Sequence, residues 1–386
     1  MEKEEPQPLF VSDPVLNKES TISFTSYTLQ GSKIPEPVSR RYRDFDALRR
    51  KFVERWPGVF IPNIPHKKTM GAKDKDIVEL RIEMINRFMK KLSNIDYLFN
   101  SDEMVLFLQN ANNVPKTLDN IKEDSYQDLL KKYSQVFTDY DDNFDTIAGK
   151  SEQDEFYKKL NVMYPKLRAF RAFIFQEKER FKEVQKNYIA VINMLSTYEK
   201  EIMKTFVSDD ENRLVFFNMK NIDLCKHISN AQENVKNPYD RLYDSITEDY
   251  LDTEAMQEAL ESLKNLQDIY NKLTKNLTST NVQLNDLQAG KTNVKSILSF
   301  KGRDDNINKL MNEKEKLEKD IENLGQVIKI ATFNMQNQIK KFKLVCLDNY
   351  YSELSRMKKI LNIMLKFSMS FGKQSSKIKI LLNITR

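Results

Sequence analysis

Three long stretches of this chain carry apolar residues at alternating steps of three and four. The seams are Phe181, Val184, Tyr188, Val191, Leu195, Tyr198 and Ile202; Met256, Leu260, Leu263, Tyr270, Leu273, Leu277, Leu284 and Leu287; and Leu317, Ile321, Leu324, Ile328, Ala331, Met335, Ile339 and Phe342. This spacing is the heptad pattern of helices that pack as a coiled coil. The sequence therefore predicts three long helices within residues 151–386.

Helices of this length constrain assembly as well as fold. A helix of about 65 residues is about 100 Å long at a rise of about 1.5 Å per residue. Three such helices leave much of their apolar seam exposed unless a second chain covers it. We therefore expect residues 151–386 to form a dimerising module. The mixed charges beside the seams leave both a homodimer and a heterodimer with a related chain open.

The first 112 residues have a different character, since nine of the eleven prolines lie at or before Pro115. Strand-forming residues over 9–16, 20–29 and 37–42 predict a three-stranded antiparallel sheet, and the patterns over 44–56, 75–91 and 102–110 predict helices. The predicted fold class is an α+β domain followed by an all-α coiled-coil domain. Its boundaries are a tail at 1–7, the α+β domain at 8–112, a helical linker at 113–150 and the coiled-coil domain at 151–386.

The composition excludes several classes of protein. Charged residues make up 31% of the chain and hydrophobic residues 40%, which is typical of a soluble protein. The net charge of +6 indicates anionic partners only weakly. No predicted helix concentrates lysine and arginine in the stripe that nucleic-acid binding requires, so we do not expect a nucleic-acid partner. Two cysteines fit a reducing compartment. Neither a signal peptide nor an apolar stretch of about 18 residues is present, so we expect peripheral membrane contact from the cytosol.

The sequence predicts no catalytic activity. The only histidines are His66 and His227, and no glycine-rich phosphate loop is present. Cys225 and His227 offer two metal ligands, but two more at a suitable spacing are missing. We therefore expect neither an enzyme nor a cofactor nor a metal site.

Two short segments and one arginine carry the ligand chemistry. Arg40-Arg41-Tyr42-Arg43-Asp44-Phe45 follows the last predicted strand, and Ile61-Pro62-Asn63-Ile64-Pro65-His66-Lys67 precedes the predicted helix that contains Arg81. Guanidinium groups bind phosphates and vicinal hydroxyls, while an aromatic ring covers the apolar face of a sugar. The segments therefore indicate a site for a phosphorylated inositol. The alternative is that these cations are solvated surface residues, as most lysines and arginines are.

The order of these motifs over residues 8–112 resembles the PX domain, the phosphoinositide-binding module of sorting nexins. The resemblance implies that Arg41 binds the 3-phosphate and that Tyr42 packs beneath the inositol ring. It implies that Lys67 reaches the 1-phosphate and that Arg81 hydrogen-bonds the 4- and 5-hydroxyls. Phosphatidylinositol 3-phosphate is then the ligand.

Accessory contacts are expected around this site. Lys68 lies beside Lys67 as a second cation, and Arg43 stands where many PX domains have serine, so it either adds a phosphate contact or loosens the fit to the 3-phosphate. Ile64 and Met70 lie where PX domains insert apolar residues into lipid. The alternative for these two side chains is that they close the small core of the domain.

The three-helix region resembles the BAR module that follows PX in sorting nexin 4-like proteins, because a PX domain, a linker and three long helices occur in that order. The resemblance places a basic tip between the second and third helices. An apolar step flanked by cations suits an anionic bilayer, whereas the alternative is a solvated loop. The candidate membrane-contact residues are Lys291, Lys295, Ile297, Leu298, Phe300, Lys301 and Arg303.

The linker also has helical periodicity, from Tyr126 to Ile147. It is unsuited to anchoring in an anionic membrane because Asp139, Asp141, Asp142 and Asp145 lie within it. We expect this segment to brace the PX domain against the long helices.

Taken with the resemblance, the sequence predicts a peripheral protein on the cytoplasmic face of early endosomes. A PX-BAR dimer would bind phosphatidylinositol 3-phosphate, sense or shape curved membrane, and act in endosomal recycling and protein sorting with a link to autophagy. Two pockets on one dimer make the second lipid contact effectively intramolecular. The alternative is a coiled-coil scaffold whose PX domain binds protein partners, which the presence of all four candidate ligand residues disfavours.

Overall fold

The computed structural model describes residues 9–19, 22–64, 75–109, 113–202, 205, 230, 236–289 and 303–384. The chain divides into two compact units, Met1–Val162 with Leu251–Lys343 and Met163–Tyr250 with Leu344–Arg386. The first unit contains the candidate ligand residues Arg41, Tyr42 and Arg81. None of the helices in the described ranges is both long enough and apolar enough to cross a bilayer.

An antiparallel sheet with the order β1-β2-β3 opens the first unit, as predicted. The strands are β1 (Phe10–Glu19), β2 (Ile22–Gln30) and β3 (Val38–Arg41). Side chains alternate along β3, so that Val38 and Arg40 are buried while Ser39 is exposed and Arg41 is half-buried. This alternation gives the two adjacent arginines different surroundings.

Within the described part of this unit, six shorter helices follow the sheet. They are α1 (Tyr42–Arg55), α2 (Lys75–Ser93), α3 (Asp96–Phe99), α4 (Asp102–Leu108), α5 (Val114–Asp119) and α6 (Tyr126–Val136). The three helices predicted before residue 112 correspond to α1, α2 and α4. Phe45 of α1 meets Phe107 of α4 edge to face at 5.3 Å, and both rings are fully buried. Burial of such rings is the main favourable term in forming this core.

Three long helices account for the heptad pattern. They are α7 (Thr146–Thr197), which continues into a π-helical turn (Tyr198–Ile202), α8 (Tyr239–Gln288) and α9 (Arg303–Ile384). In the first unit the predicted seam residues Leu263 of α8 and Leu324, Ala331 and Met335 of α9 are buried. The heptad prediction is therefore confirmed for this part of the helices.

The linker braces the first unit with aromatic side chains. Tyr133 of α6 is fully buried and stacks on Trp56 at a centroid distance of 6.1 Å. Tyr140 and Phe144 meet Phe333 of α9 edge to face at 5.7 and 5.3 Å. The predicted bracing contact is present, but the segment is not one helix. It is interrupted after Val136 by the aspartate-rich turn, and Asp145 accepts the N–H groups of residues 147 and 148 where α7 begins.

The second unit has a small core and extensive uncovered apolar surface. Its core contains Ile174, Leu242, Tyr243 and Ile246. Farther along α7 the predicted seam residues Val184, Tyr188, Val191, Leu195, Tyr198 and Ile202 are all exposed. On α9 the side chains of Leu344, Val345, Leu347, Tyr350, Tyr351 and Leu354 are exposed as well. Among the described residues of this unit, these seam side chains are thus exposed, although their heptad spacing is typical of side chains that pack against another helix.

Candidate head-group site

Arg40 is a structural residue rather than a ligand residue. Its side chain is on the buried face of β3, and the residue is only 2% exposed. Its Nε and Nη2 donate to the carbonyl of Phe107 at 2.8 and 2.6 Å, and Nη2 also donates to the carbonyl of Gln109. These acceptors lie at the carboxyl end of α4, where helical carbonyls have no partner within the helix. Arg40 therefore ties the sheet to α4.

Replacing Arg40 with lysine is expected to destabilise the first unit by about 2–4 kcal/mol, because a compact ammonium does not reproduce the planar fork with which the guanidinium reaches the carbonyls of Phe107 and Gln109. Urea unfolding followed by the emission of Trp56, the only tryptophan of the chain, measures the change. Arg50→Lys is the matched control, since the Arg50 side chain is exposed on α1. Equal unfolding midpoints for the two variants would contradict this role.

Arg41 lies on the opposite face and is held in place without being buried. Its guanidinium lies over the ring of Phe24 at 5.1 Å, and its Nε is 3.5 Å from Oδ1 of Asp44. The N–H of Arg41 donates to Oδ2 of the same carboxylate at 2.9 Å. Burial raises the pKa of Asp44, and the neighbouring Arg41 opposes that rise. Because the Arg41 side chain remains 23% exposed, it is oriented yet accessible to an anion.

Tyr42 and Arg81 come together as a stacked pair. The guanidinium of Arg81, from α2, lies 5.6 Å from the centroid of the Tyr42 ring, which begins α1. Burial raises the pKa of Tyr42 to about 12, and nearby Asp46 adds to the rise while Arg81 opposes it. Burial likewise raises the pKa of the Tyr27 hydroxyl beside Arg81. Both phenols are therefore neutral at physiological pH, and the ring of Tyr42 presents its face to the guanidinium of Arg81.

Phe24 and Tyr27 were not predicted to belong to this site, and Asp44 had no predicted role although it lies in the segment from Arg40 to Phe45. A usable signal was the register of β2 against β3, in which Ser26 pairs with Arg41 and Tyr27 with Arg40. Phe24 is the diagonal neighbour of Arg41 in that register, a separation that long side chains span. Strand alternation together with this register thus places an aromatic ring beside Arg41.

The remaining candidates divide into three groups. Lys67, Lys68, Met70, Lys291, Lys295, Ile297, Leu298, Phe300 and Lys301 lie outside the described residues, and Arg303 is the first residue of α9. The Arg43 side chain is about half exposed, with its Nε 3.9 Å from Asp44. Ile64 is only 3% exposed, which fits the alternative that its side chain closes the core of the domain.

Parts of this chain are similar in sequence to known proteins. The PX domain model matches residues 31–111, which confirms the predicted PX domain. The chain is 26% identical over 189 residues to "Sorting nexin 1" of Arabidopsis thaliana, covering 46% of this chain and 45% of that protein. It is 33% identical over 107 residues to "Vacuolar protein sorting-associated protein vps5" of Schizosaccharomyces pombe, covering 26% and 19%. The matched part is thus less than half of either relative.

One solved structure is similar over most of the chain. It is described as "The cryo-EM structure of the SNX-BAR Mvp1 tetramer", and the likeness covers 92% of this chain and 98% of that one. The TM-score is 0.48 and the sequence identity is 15%.

Proposed function

We propose that this chain, a PX-domain protein of the sorting nexin type, is a peripheral membrane protein that binds phosphatidylinositol 3-phosphate and acts in endosomal protein sorting. The arrangement of Arg41, Tyr42 and Arg81 within the PX-matched segment carries the proposal. Each guanidinium is held against an aromatic ring and neither is fully buried. Such preorganised cations bind phosphates and vicinal hydroxyls with charge-assisted hydrogen bonds.

The proposed working form is a dimer built on the long helices. The exposed seam residues of α7 and α9 in the second unit support this proposal, since an apolar surface of that extent is typical of an interface. A dimer carries two head-group sites, so engagement of the first raises the effective concentration of the second at the same bilayer. Two weak sites on one dimer then give strong binding that depends on the lipid. Such binding suits the proposed role, which is to sense or shape curved membrane of early endosomes, with a link to autophagy.

Sedimentation with vesicles tests the proposal. The purified chain is expected to sediment with phosphatidylcholine vesicles that contain phosphatidylinositol 3-phosphate at least tenfold more strongly than with vesicles that contain phosphatidylinositol or phosphatidylinositol 4-phosphate at equal mole fraction. Binding is expected to be strongest on the smallest of a series of extruded vesicles. Binding that is equal for all three lipids would remove the head-group proposal and favour a PX domain that docks on protein.

A further inference from the structure

One face of α8 is in contact with the segment that follows α1. The contacting side chains of α8 are spaced four residues apart, which puts them on the same side of the helix. They join Glu254 to the side chain of Asn63, Glu258 to the guanidinium of Arg49 and Ser262 to the N–H of Gly58. We call these three α8 residues the α8 stripe. On α9, Gln338 accepts the N–H of Phe60 at 2.7 Å, so both long helices hold the same segment.

The approach of this segment to the helices is close at Gly58. Its φ of +77° lies in the region that favours glycine. A Cβ at this position would lie 3.3 Å from Leu263 Cδ1 and 3.4 Å from Ala331 Cβ. A side chain here would crowd Leu263 and would adopt a strained backbone conformation, so glycine suits the close approach of this turn to α8 and α9.

Arg49 connects the α8 stripe with the head-group site. Its Nε donates to the carbonyl of Pro62 at 3.1 Å while its other end pairs with Glu258, and its side chain is nearly buried. Arg49 also lies in α1, the helix that starts with Tyr42, and its charge lowers the pKa of that phenol. One guanidinium thus joins α8, residues 61–64, which we call the proline loop, and the helix that begins with Tyr42.

Asn63 makes the second connection. Its amide nitrogen donates to Glu254, and its amide oxygen accepts the N–H of Ile64 at 2.9 Å. Asn63 and Ile64 are both buried, and the bond between them is buried as well, whereas the bond to Glu254 is partly buried. Leaving the Asn63 amide without these partners is therefore costly. The backbone at residues 62–64 is therefore held by α8, three residues before Lys67 in the sequence.

We propose that Glu254 and Glu258 of α8 are positioning residues for the head-group site. They do not touch the ligand; they hold Arg49 and Asn63, and through these the proline loop and the start of α1, in the geometry that binds an inositol phosphate. This inference rests on the proposed function and extends it, because it makes head-group affinity a property of the PX domain together with α8.

The test uses the full chain with the pair Glu254→Ala and Glu258→Ala. Affinity for soluble inositol 1,3-bisphosphate, measured by calorimetry, is expected to fall about tenfold. The matched control is Glu261→Ala with Asp268→Ala, which removes the same charge from exposed positions of α8 and is expected to bind like the unchanged chain. The conservative pair Glu254→Gln and Glu258→Gln keeps both acceptors and is expected to recover most of the affinity.

Fold and function are separated by two further measurements. Trp56 is buried, and its emission is expected to be unchanged in the alanine pair if the first unit is intact. If the alanine pair does not fold, the single variant Glu258→Ala is tested instead, because the Glu258 side chain is 41% exposed and its loss is better tolerated. This variant is expected to lower the affinity for inositol 1,3-bisphosphate about threefold. Head-group affinity equal to that of the control would overturn the positioning role. Loss of the proposed site itself is tested separately with Arg41→Ala.

Discussion

Arg41→Ala is expected to reduce binding to vesicles that contain phosphatidylinositol 3-phosphate by about 30–100-fold. The lost guanidinium is the one that Asp44 and Phe24 hold at the start of α1. Charge-assisted bonds to a phosphate contribute about 1.5–3 kcal/mol each, and a dimer with two sites multiplies the loss at the membrane. Sedimentation with vesicles measures the combined effect, and calorimetry with soluble inositol 1,3-bisphosphate measures the effect at a single site.

The control for this prediction is Arg50→Ala. It removes the same charge from α1 at an exposed position and is expected to change vesicle binding by less than about twofold. The thermal unfolding of Arg41→Ala is expected to stay close to that of the unchanged chain, in contrast to the Arg40 variant. If Arg41→Ala still binds these vesicles as strongly as the Arg50 control, phosphoinositide binding at this site is excluded and a protein-binding PX domain becomes the better hypothesis.

Local pattern was sufficient for the three strands, for helices α1, α2 and α4 and for the three long helices. The period of two in the strands and the heptads both depend on residues close in sequence. The same pattern implied that Arg40 and Arg41 face opposite sides of β3, although it did not say which side is buried. The contacts of Arg40 with Phe107 and Gln109 show that the side of β3 with Arg40 is the buried one. These contacts join residues more than 60 positions apart, so local pattern does not reveal them.

Contacts between distant segments were beyond the sequence alone. Ile64 is an apolar residue in a proline loop, so its sequence fits insertion into lipid and burial in protein equally. Its burial accompanies the contact of Asn63 with Glu254, which is 191 positions away. No local periodicity predicts such a pair. The tip residues and the lysines after Pro65 lie outside the described residues, and their roles stay predictions.

The pair Tyr188→Lys and Leu195→Lys is expected to convert the proposed dimer into a monomer. Both side chains lie in the α7 seam and are 58% and 46% exposed in the single chain. Covering them in a dimer would place each lysine in an apolar interface, at a cost of several kcal/mol per buried charge. Sedimentation equilibrium is expected to show a dissociation constant raised by at least about 100-fold.

The dimer prediction also connects the helices to the lipid site. The matched control is Asn187→Lys with Asn193→Lys, which adds the same charges to exposed polar positions of α7 and is expected to leave the dimer intact. Loss of the dimer is expected to weaken vesicle binding by at least about tenfold while the affinity for soluble inositol 1,3-bisphosphate is unchanged, because avidity and not the pocket is removed. A seam variant that stays dimeric would show that another surface pairs the chains. A monomer that keeps full vesicle binding would instead show that one head-group site is sufficient.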